Sequence, residues 1–164
     1  MGFEGSYLWS LRQVVGNQLL LSPGAQVLLI DQHGLIYLQR RKDMGIWEIP
    51  AGACEMGSSF ASTAVTEVFE ETGLTIAASD LVAFACLSDP AIHIVEYPNG
   101  DRTHGFAVCF EARGWSGSVE IDPAEVTEYG FFSLDELPSP LHPPTQVALD
   151  LYRRFRATGA FQVS

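Results

Sequence analysis

The sequence predicts a layered α/β/α sandwich, and three observations predict it. The chain has 164 residues, enough to bury one substantial core as a single domain. Short apolar, β-prone runs are mixed with amphipathic segments at helical spacing before, between and after them. Hydrophobic residues make up 47% of the chain, and the mean hydropathy is +0.13, which fits a packed globular protein and argues against disorder.

The elements follow in order. Over residues 6–15, Leu8, Leu11, Val14 and Val15 fall on one side of a short helix that can pack on the domain or on a second subunit. Residues 25–31 and 35–41 are strand-like runs around Gln32-His33-Gly34, a hairpin signal. Trp47-Glu48-Ile49-Pro50-Ala51-Gly52 leads into a loop with two glycines. Ser58-Ser59 is a helix start signal and Gly73 a stop, so a helix is predicted over about 59–72. Its apolar stripe is Ala61, Ala64, Val65, Val68 and Thr72, which docks one face on a core.

Two further strands are predicted at 81–87 and 92–97. Asn99-Gly100 is the strongest hairpin turn signal in the chain, and it leads into a strand at 103–112. Another strand lies near 129–132. A closing helix over about 144–158 buries Val147, Leu151 and Phe155, places Arg153, Arg154 and Arg156 near its C-terminal end, and stops at Gly159. No internal repeat, low-complexity tract or linker divides the chain. Residues 1–164 read as one domain, with 1–16 as an N-terminal helical extension.

Bulk properties narrow the partners. A formal net charge of -11 and a pI near 4.6 disfavour nonspecific binding to nucleic acid or to an anionic membrane. The three cysteines, Cys54, Cys86 and Cys109, include no CxxC pair and read as reduced thiols of a cytoplasmic protein. Cys54 reads as a packing residue, with a reactive thiol as the alternative. The N-terminus shows no basic segment followed by a long apolar run, and no stretch approaches transmembrane length.

The most informative feature is the helix at 59–72. Glu67, Glu70 and Glu71 lie within five positions, and residues three and four apart share a helix face. No Lys or Arg occurs between Lys42 and Arg102 to neutralise them locally. A hard divalent cation with oxygen ligands, Mg²⁺ or Mn²⁺, would remove the repulsion, and such a cation serves reactions at phosphate. The alternative is a solvated acidic helix face.

The segment 52–74 resembles a Nudix box, whose pattern is Gly, five residues, Glu, seven residues, then Arg-Glu-aliphatic-any-Glu-Glu-any-Gly-aliphatic. Gly52, Glu67, Val68, Glu70, Glu71, Gly73 and Leu74 match at the right spacing, seven of nine defined positions. Ser58 stands where the first glutamate belongs and Thr66 where the arginine belongs. Gln39-Arg40-Arg41, Trp47 and Pro50-Ala51-Gly52 are similar to the family's lead-in. Glu128-Tyr129-Gly130-Phe131-Phe132 and Leu134-Asp135-Glu136-Leu137 are similar to its closing strand and short helix. The resemblance covers roughly residues 20–150 and implies a Nudix-like α/β/α sandwich with a mixed β-sheet.

The resemblance also implies an activity: metal-dependent attack of water on the pyrophosphate of a nucleoside diphosphate linked to another group. Glu67 and Glu71 are then the first metal ligands, Glu70 a third, with a backbone carbonyl at Ala51 or Gly52. A general base comes from the helix or from Glu125 or Glu128, of which Glu125 is preferred; a solvated loop acid is the alternative for each. Arg40 and Arg41 are candidates for the substrate's phosphates, or an edge-strand charge cluster. Trp47, Tyr97 and Phe131 are candidates to stack a nucleobase, or core residues. His104 reads as a surface loop histidine.

Pro90, sixteen positions after Leu74, is spaced as in the ADP-ribose pyrophosphatase subgroup, which favours ADP-ribose or a nucleotide sugar over nucleoside triphosphates and dinucleoside polyphosphates. The expected partner is a small-molecule nucleotide, with no nucleic acid and no membrane, bound by a monomer or homodimer. The departures at Ser58 and Thr66 leave a catalytically weak nucleotide sensor as the alternative.

Overall fold

The computed structural model describes residues 4–164. Along the chain run α1 (Tyr7–Val15), β1 (Leu20–Leu29), β2 (Ile36–Arg41), β3 (Trp47–Glu48), β4 (Ala51–Ala53), α2 (Phe60–Thr72) and β5 (Val82–Leu87). They are followed by α3 (Pro90–His93), β6 (Ile94–Glu96), β7 (Arg102–Ala112), β8 (Val126–Phe132), α4 (Pro143–Thr158) and β9 (Gln162–Val163). One sheet is mixed, in the order β4-β1-β7-β5-β9, with β6 also paired to β7. A second, antiparallel sheet has the order β3-β2-β8.

Strand alternation builds the layers. On β1, Ala25, Val27 and Leu29 face one way and pack with Ala64 and Val68 of α2. Leu28 and Ile30 face the other way and pack with Ala148, Leu149 and Tyr152 of α4. Burial of each such large apolar side chain stabilises the fold by roughly 1.5–3 kcal/mol. The helices thus cover opposite faces, and the α/β/α class holds.

The predicted hairpin at 25–31 and 35–41 is corrected. Asp31 Oδ1 accepts from the amides of His33 and Leu35 and closes a tight turn, but beyond it only Ile30 and Ile36 form a bridge. β1 already has both edges occupied. It pairs antiparallel with β4 and parallel with β7, from Leu20↔Thr103 to Leu29↔Ala112. With no edge left to take, β2 departs into the second sheet, and the two strands part.

The predicted strand at 92–97 is shorter than expected. Pro90 opens a helical turn, Asp89 caps it by accepting from the Ala91 amide, and only Ile94–Glu96 remain extended. The Asn99-Gly100 turn is present: Gly100 has φ +83°, and its N–H donates to Tyr97 O.

Helix α1 also departs from its expected packing. Leu8 is buried but Val14 is 83% exposed, so the apolar stripe does not dock as a whole. Polar contacts hold the helix instead. Ser6 Oγ caps it through the Trp9 amide, the Tyr7 amide donates to Glu55, and Arg12 pairs with Asp101 at 3.4 Å. Arg12 also donates to the carbonyls of Gly16 and Arg102.

Helix α2 matches its predicted bounds closely. Ser59 and Ser62 form a reciprocal capping box, and Gly73 ends the helix in the left-handed region at φ +73°. Ala64, Val68 and Thr72 are buried as expected, while Ala61 and Val65 are half-buried. On α4, Leu151 is buried, and Val147 and Phe155 pack at the edge of the core. Among the described residues no helix is long and apolar enough to cross a membrane.

Candidate active site

The site is built where α2 crosses β4. Gly24 of β1 lies under Gly52 of β4: a Cβ on Gly24 would stand 2.5 Å from Gly52 O. Gly52 in turn lies under Glu67. A Cβ on Gly52 would fall 2.0–2.2 Å from the Glu67 carboxylate atoms, so only glycine lets that side chain rest on the backbone. One turn further along α2, Glu71 Oε2 accepts from Gln39 Nε2 at 2.7 Å and from the Ala51 amide at 3.2 Å. Glu70 points outward and is exposed.

The electrostatics follow from this crowding. Burial pushes Glu67 up to about 7, with further contributions from Glu70, Glu125 and Glu55. Burial also raises Glu71 well above the ordinary carboxyl range, helped by Glu48 and Glu67 and opposed by the bonds from Gln39 and Ala51. Among the described residues no ion pair joins Glu67, Glu70 or Glu71 to a cation.

No group of three or more His, Cys, Asp or Glu among the described residues is drawn together as a finished metal shell. The donor chemistry nevertheless suits a hard divalent cation. The side chains are carboxylates without cationic partners, one of them resting against the Gly52 backbone.

Several sequence-predicted residues meet here. Gly52, Glu67, Glu70 and Glu71 form one patch, and Glu125 lies within electrostatic range of Glu67. Glu128 instead pairs with Arg40 at 3.4 Å. Arg41 is held by Asp43 at 2.9 Å and by the buried Glu48 at 3.1 Å, contacts that raise its pKa. The Tyr97 phenol lies within electrostatic range of the Arg41 guanidinium, which places those two candidates on one side of the molecule.

Other candidates are placed differently. Trp47 is 6% exposed and packs edge-on against Phe132, a core position with no open face for a base. Phe131 is half-buried against Tyr37 and Trp115. His104 is no loop histidine: it sits on β7, bonds Ser88 O at 2.8 Å through Nε2 and rests on Phe106. Ser58 and Thr66 are exposed, and Ser59 rather than Ser58 caps α2. Cys54 Sγ accepts from Thr63 Oγ1, consistent with a packing role.

Four residues near the patch carry no individual role in the sequence reading, although Gln39 and Glu48 lie in segments it singles out. Glu55 bonds the Tyr7 amide and adds negative charge near Glu67. Glu48 is buried between Arg41 and His142 and acts on Glu71. Tyr37 and Gln39 lie beneath α2 and lead to Glu71. Positions 37 and 39 did carry one signal, since strand residues two apart share a face.

Comparison with known proteins agrees with the geometry. The NUDIX domain model matches residues 20–155. An RNA pyrophosphohydrolase of Erythrobacter litoralis is 29% identical over 126 residues, 70% of this chain and 77% of that protein. A putative 8-oxo-dGTP diphosphatase of Bacillus subtilis is 37% identical over 60 residues, 37% of this chain and only 40% of that protein's length.

Among solved structures, a MutT NUDIX hydrolase from Burkholderia pseudomallei superposes with a TM-score of 0.68 at 24% identity, covering 80% of this chain and 97% of its own. An ADP-ribose pyrophosphatase from Streptococcus suis gives 0.60 at 23% identity, with 87% and 98% coverage. These likenesses define the fold. The chain belongs to the Nudix family of hydrolases.

Proposed function

We propose that this protein hydrolyses a pyrophosphate bond in a nucleoside diphosphate linked to another group, with Mg²⁺ or Mn²⁺ as cofactor. One observation carries the reading: Glu67 rests on the Gly52 backbone with Glu71 one helical turn away, and neither has a cationic partner among the described residues. Glu67 and Glu71 would hold the metal, with Glu70 and a carbonyl at Ala51 or Gly52 completing the donor set. When bound, the cation would supply charge neutralisation at the pyrophosphate and acidify a water.

The remaining roles fall to this chain's own groups. Glu125 lies within electrostatic range of Glu67 and is the proposed general base. Arg41 is tied to Asp43 and Glu48, so the more exposed Arg40 is the freer cation for a substrate phosphate. Tyr97, near Arg41, is the proposed stacking ring, a role that the buried Trp47 does not fit.

Charge bears on the substrate class. With a formal net charge of -11, the protein repels a polyphosphate or an RNA 5′ end more than a singly bridged diphosphate. ADP-ribose or a nucleotide sugar is therefore the preferred substrate, and the solved ADP-ribose pyrophosphatase of the same fold is consistent with it. The second reading, a nucleotide sensor with weak turnover, is favoured by Ser58 and Thr66.

Product chromatography tests both readings, using ADP-ribose, nucleotide sugars, nucleoside triphosphates and dinucleoside polyphosphates with Mg²⁺, Mn²⁺ or chelator. Metal-dependent release of a nucleoside monophosphate, lost in folded Glu71→Gln, supports the hydrolase. Tight nucleotide binding without product supports the sensor.

A further inference from the structure

Glu71 is a half-buried carboxylate with no ion pair to a cation among the described residues, and its orientation has a traceable cause. Tyr37 and Gln39 are 0% and 1% exposed and lie on one face of β2, the face that α2 covers. Tyr37 Oη donates to Gln39 Oε1 at 3.3 Å. That contact sets the amide's direction, so its NH₂ end faces Glu71 and donates to Oε2 at 2.7 Å. The Ala51 amide donates to the same oxygen at 3.2 Å, which leaves Oε1 for a ligand.

The phenol is itself held in place. Tyr129 stacks on it at 5.8 Å, and Phe131 meets it edge-on at 5.6 Å. A glutamine suits the middle position, because a neutral amide donates a hydrogen bond without adding charge of either sign.

We propose that Tyr37 and Gln39 form a buried positioning relay that aims the Glu71 carboxylate and presents Oε1 to the metal. The proposal rests on the hydrolase reading for its catalytic consequence, and on geometry alone for its effect on metal binding. Partners that orient a metal ligand typically matter 10- to 100-fold in affinity or rate. Tyr37 hydrogen-bonds Gln39 and also lies within electrostatic range of Glu71, where its neutral phenol adds no charge, so its orienting effect passes through Gln39.

The test is Mn²⁺ affinity by electron paramagnetic resonance, read beside kcat and KM, for wild type, Gln39→Met, Tyr37→Phe and the double variant. Methionine keeps the length and bulk of position 39, and the double variant leaves no phenol orphaned. Gln39→Met is expected to weaken Mn²⁺ binding and lower kcat by about 10- to 100-fold with KM little changed. Tyr37→Phe should show a smaller loss in the same direction, and the double variant should match Gln39→Met alone.

Wild-type Mn²⁺ affinity in Gln39→Met, or losses that add in the double variant, would overturn the relay. If Gln39→Met does not fold, wild-type affinity in Tyr37→Phe overturns it equally. A wild-type protein that turns over nothing, yet loses Mn²⁺ affinity in Gln39→Met, sinks the hydrolase reading and leaves the relay standing.

Discussion

The Glu67 carboxylate occupies the space in which a side chain at Gly52 would stand, 2.0 Å from an added Cβ at its nearest atom. The obstructing atoms are the far end of a flexible side chain. A Gly52→Ala protein can therefore relieve the clash by swinging Glu67 away. We expect its melting temperature to change by only a few degrees while turnover falls on the order of 100-fold, as for other displacements of about 1 Å. Gly24→Ala should behave oppositely. Its Cβ would meet the Gly52 carbonyl at 2.5 Å, which is backbone, so destabilisation of about 1–3 kcal/mol is expected. Paired thermal melts and rate measurements check both.

The raised pKa of Glu67 gives a signed pH effect. A carboxyl lifted to about 7 in the folded state is neutral at pH 5 and charged at pH 8, and the folded protein carries the cost of that charge. Its stabilising share is present below the unfolded value and is lost as pH rises through about 7. In chelator, wild type should thus lose stability relative to Glu67→Gln between pH 5 and pH 8. Added Mn²⁺ should reverse the loss in wild type only. Parallel melts of the two proteins that track each other across this range would refute the assignment.

His93 predicts the opposite slope. It is 3% exposed, and its Nε2 has no hydrogen-bond partner among the described residues. Burial lowers its pKa from the ordinary 6.5, Asp89 pulls it back up, and His104 and His142 add to the lowering. Its contribution is present above 6.5 and is lost as pH falls through the lower folded value. Proton NMR should show a His93 midpoint below 6.5. His93→Leu should flatten the loss of stability between pH 7.5 and 5.5.

The neighbouring arginines should separate cleanly. Arg41→Ala strips the 6%-exposed Glu48 side chain of its cation and leaves it His142 at 3.3 Å, so a loss of roughly 1.5–3 kcal/mol is expected. Arg40→Ala breaks an exposed pair with Glu128 and a hydrogen bond from Nε to Gly45 O, and should cost about 1 kcal/mol. If Arg40 contacts substrate phosphate, KM rises in Arg40→Ala with only that small loss of stability. Urea titrations alongside steady-state kinetics distinguish the two.

What could be read from the sequence was local. The Ser59 cap, the Gly73 stop and the glutamates of α2 lie within one segment whose spacing states its own geometry. The Asn99-Gly100 turn likewise depends on adjacent residues. Of the two acids before the last strand, the structure pairs Glu128 with Arg40 and leaves Glu125 within electrostatic range of Glu67.

The illegible part was long-range. Gln39 reaches Glu71 across 32 positions, and Tyr7 reaches Glu55 across 48, distances over which no periodicity carries information. The parting of β1 and β2 depended on β7, which arrives about seventy residues later to take the free edge of β1. Trp47 read as either a stacking ring or a core residue, because the sequence alone does not reveal which side of a sheet a tryptophan enters.

The position of β4 has one more consequence. It is a three-residue strand at the margin of the large sheet, with β1 on one side only. Such margins invite other chains to extend the ladder and seed fibrils. Here the Ala51 amide is already bonded to Glu71, and Glu67 lies across the next residue. An incoming strand would find the Ala51 amide already taken and the Glu67 side chain in its path. The same carboxylates proposed for the site also cover this margin of the sheet.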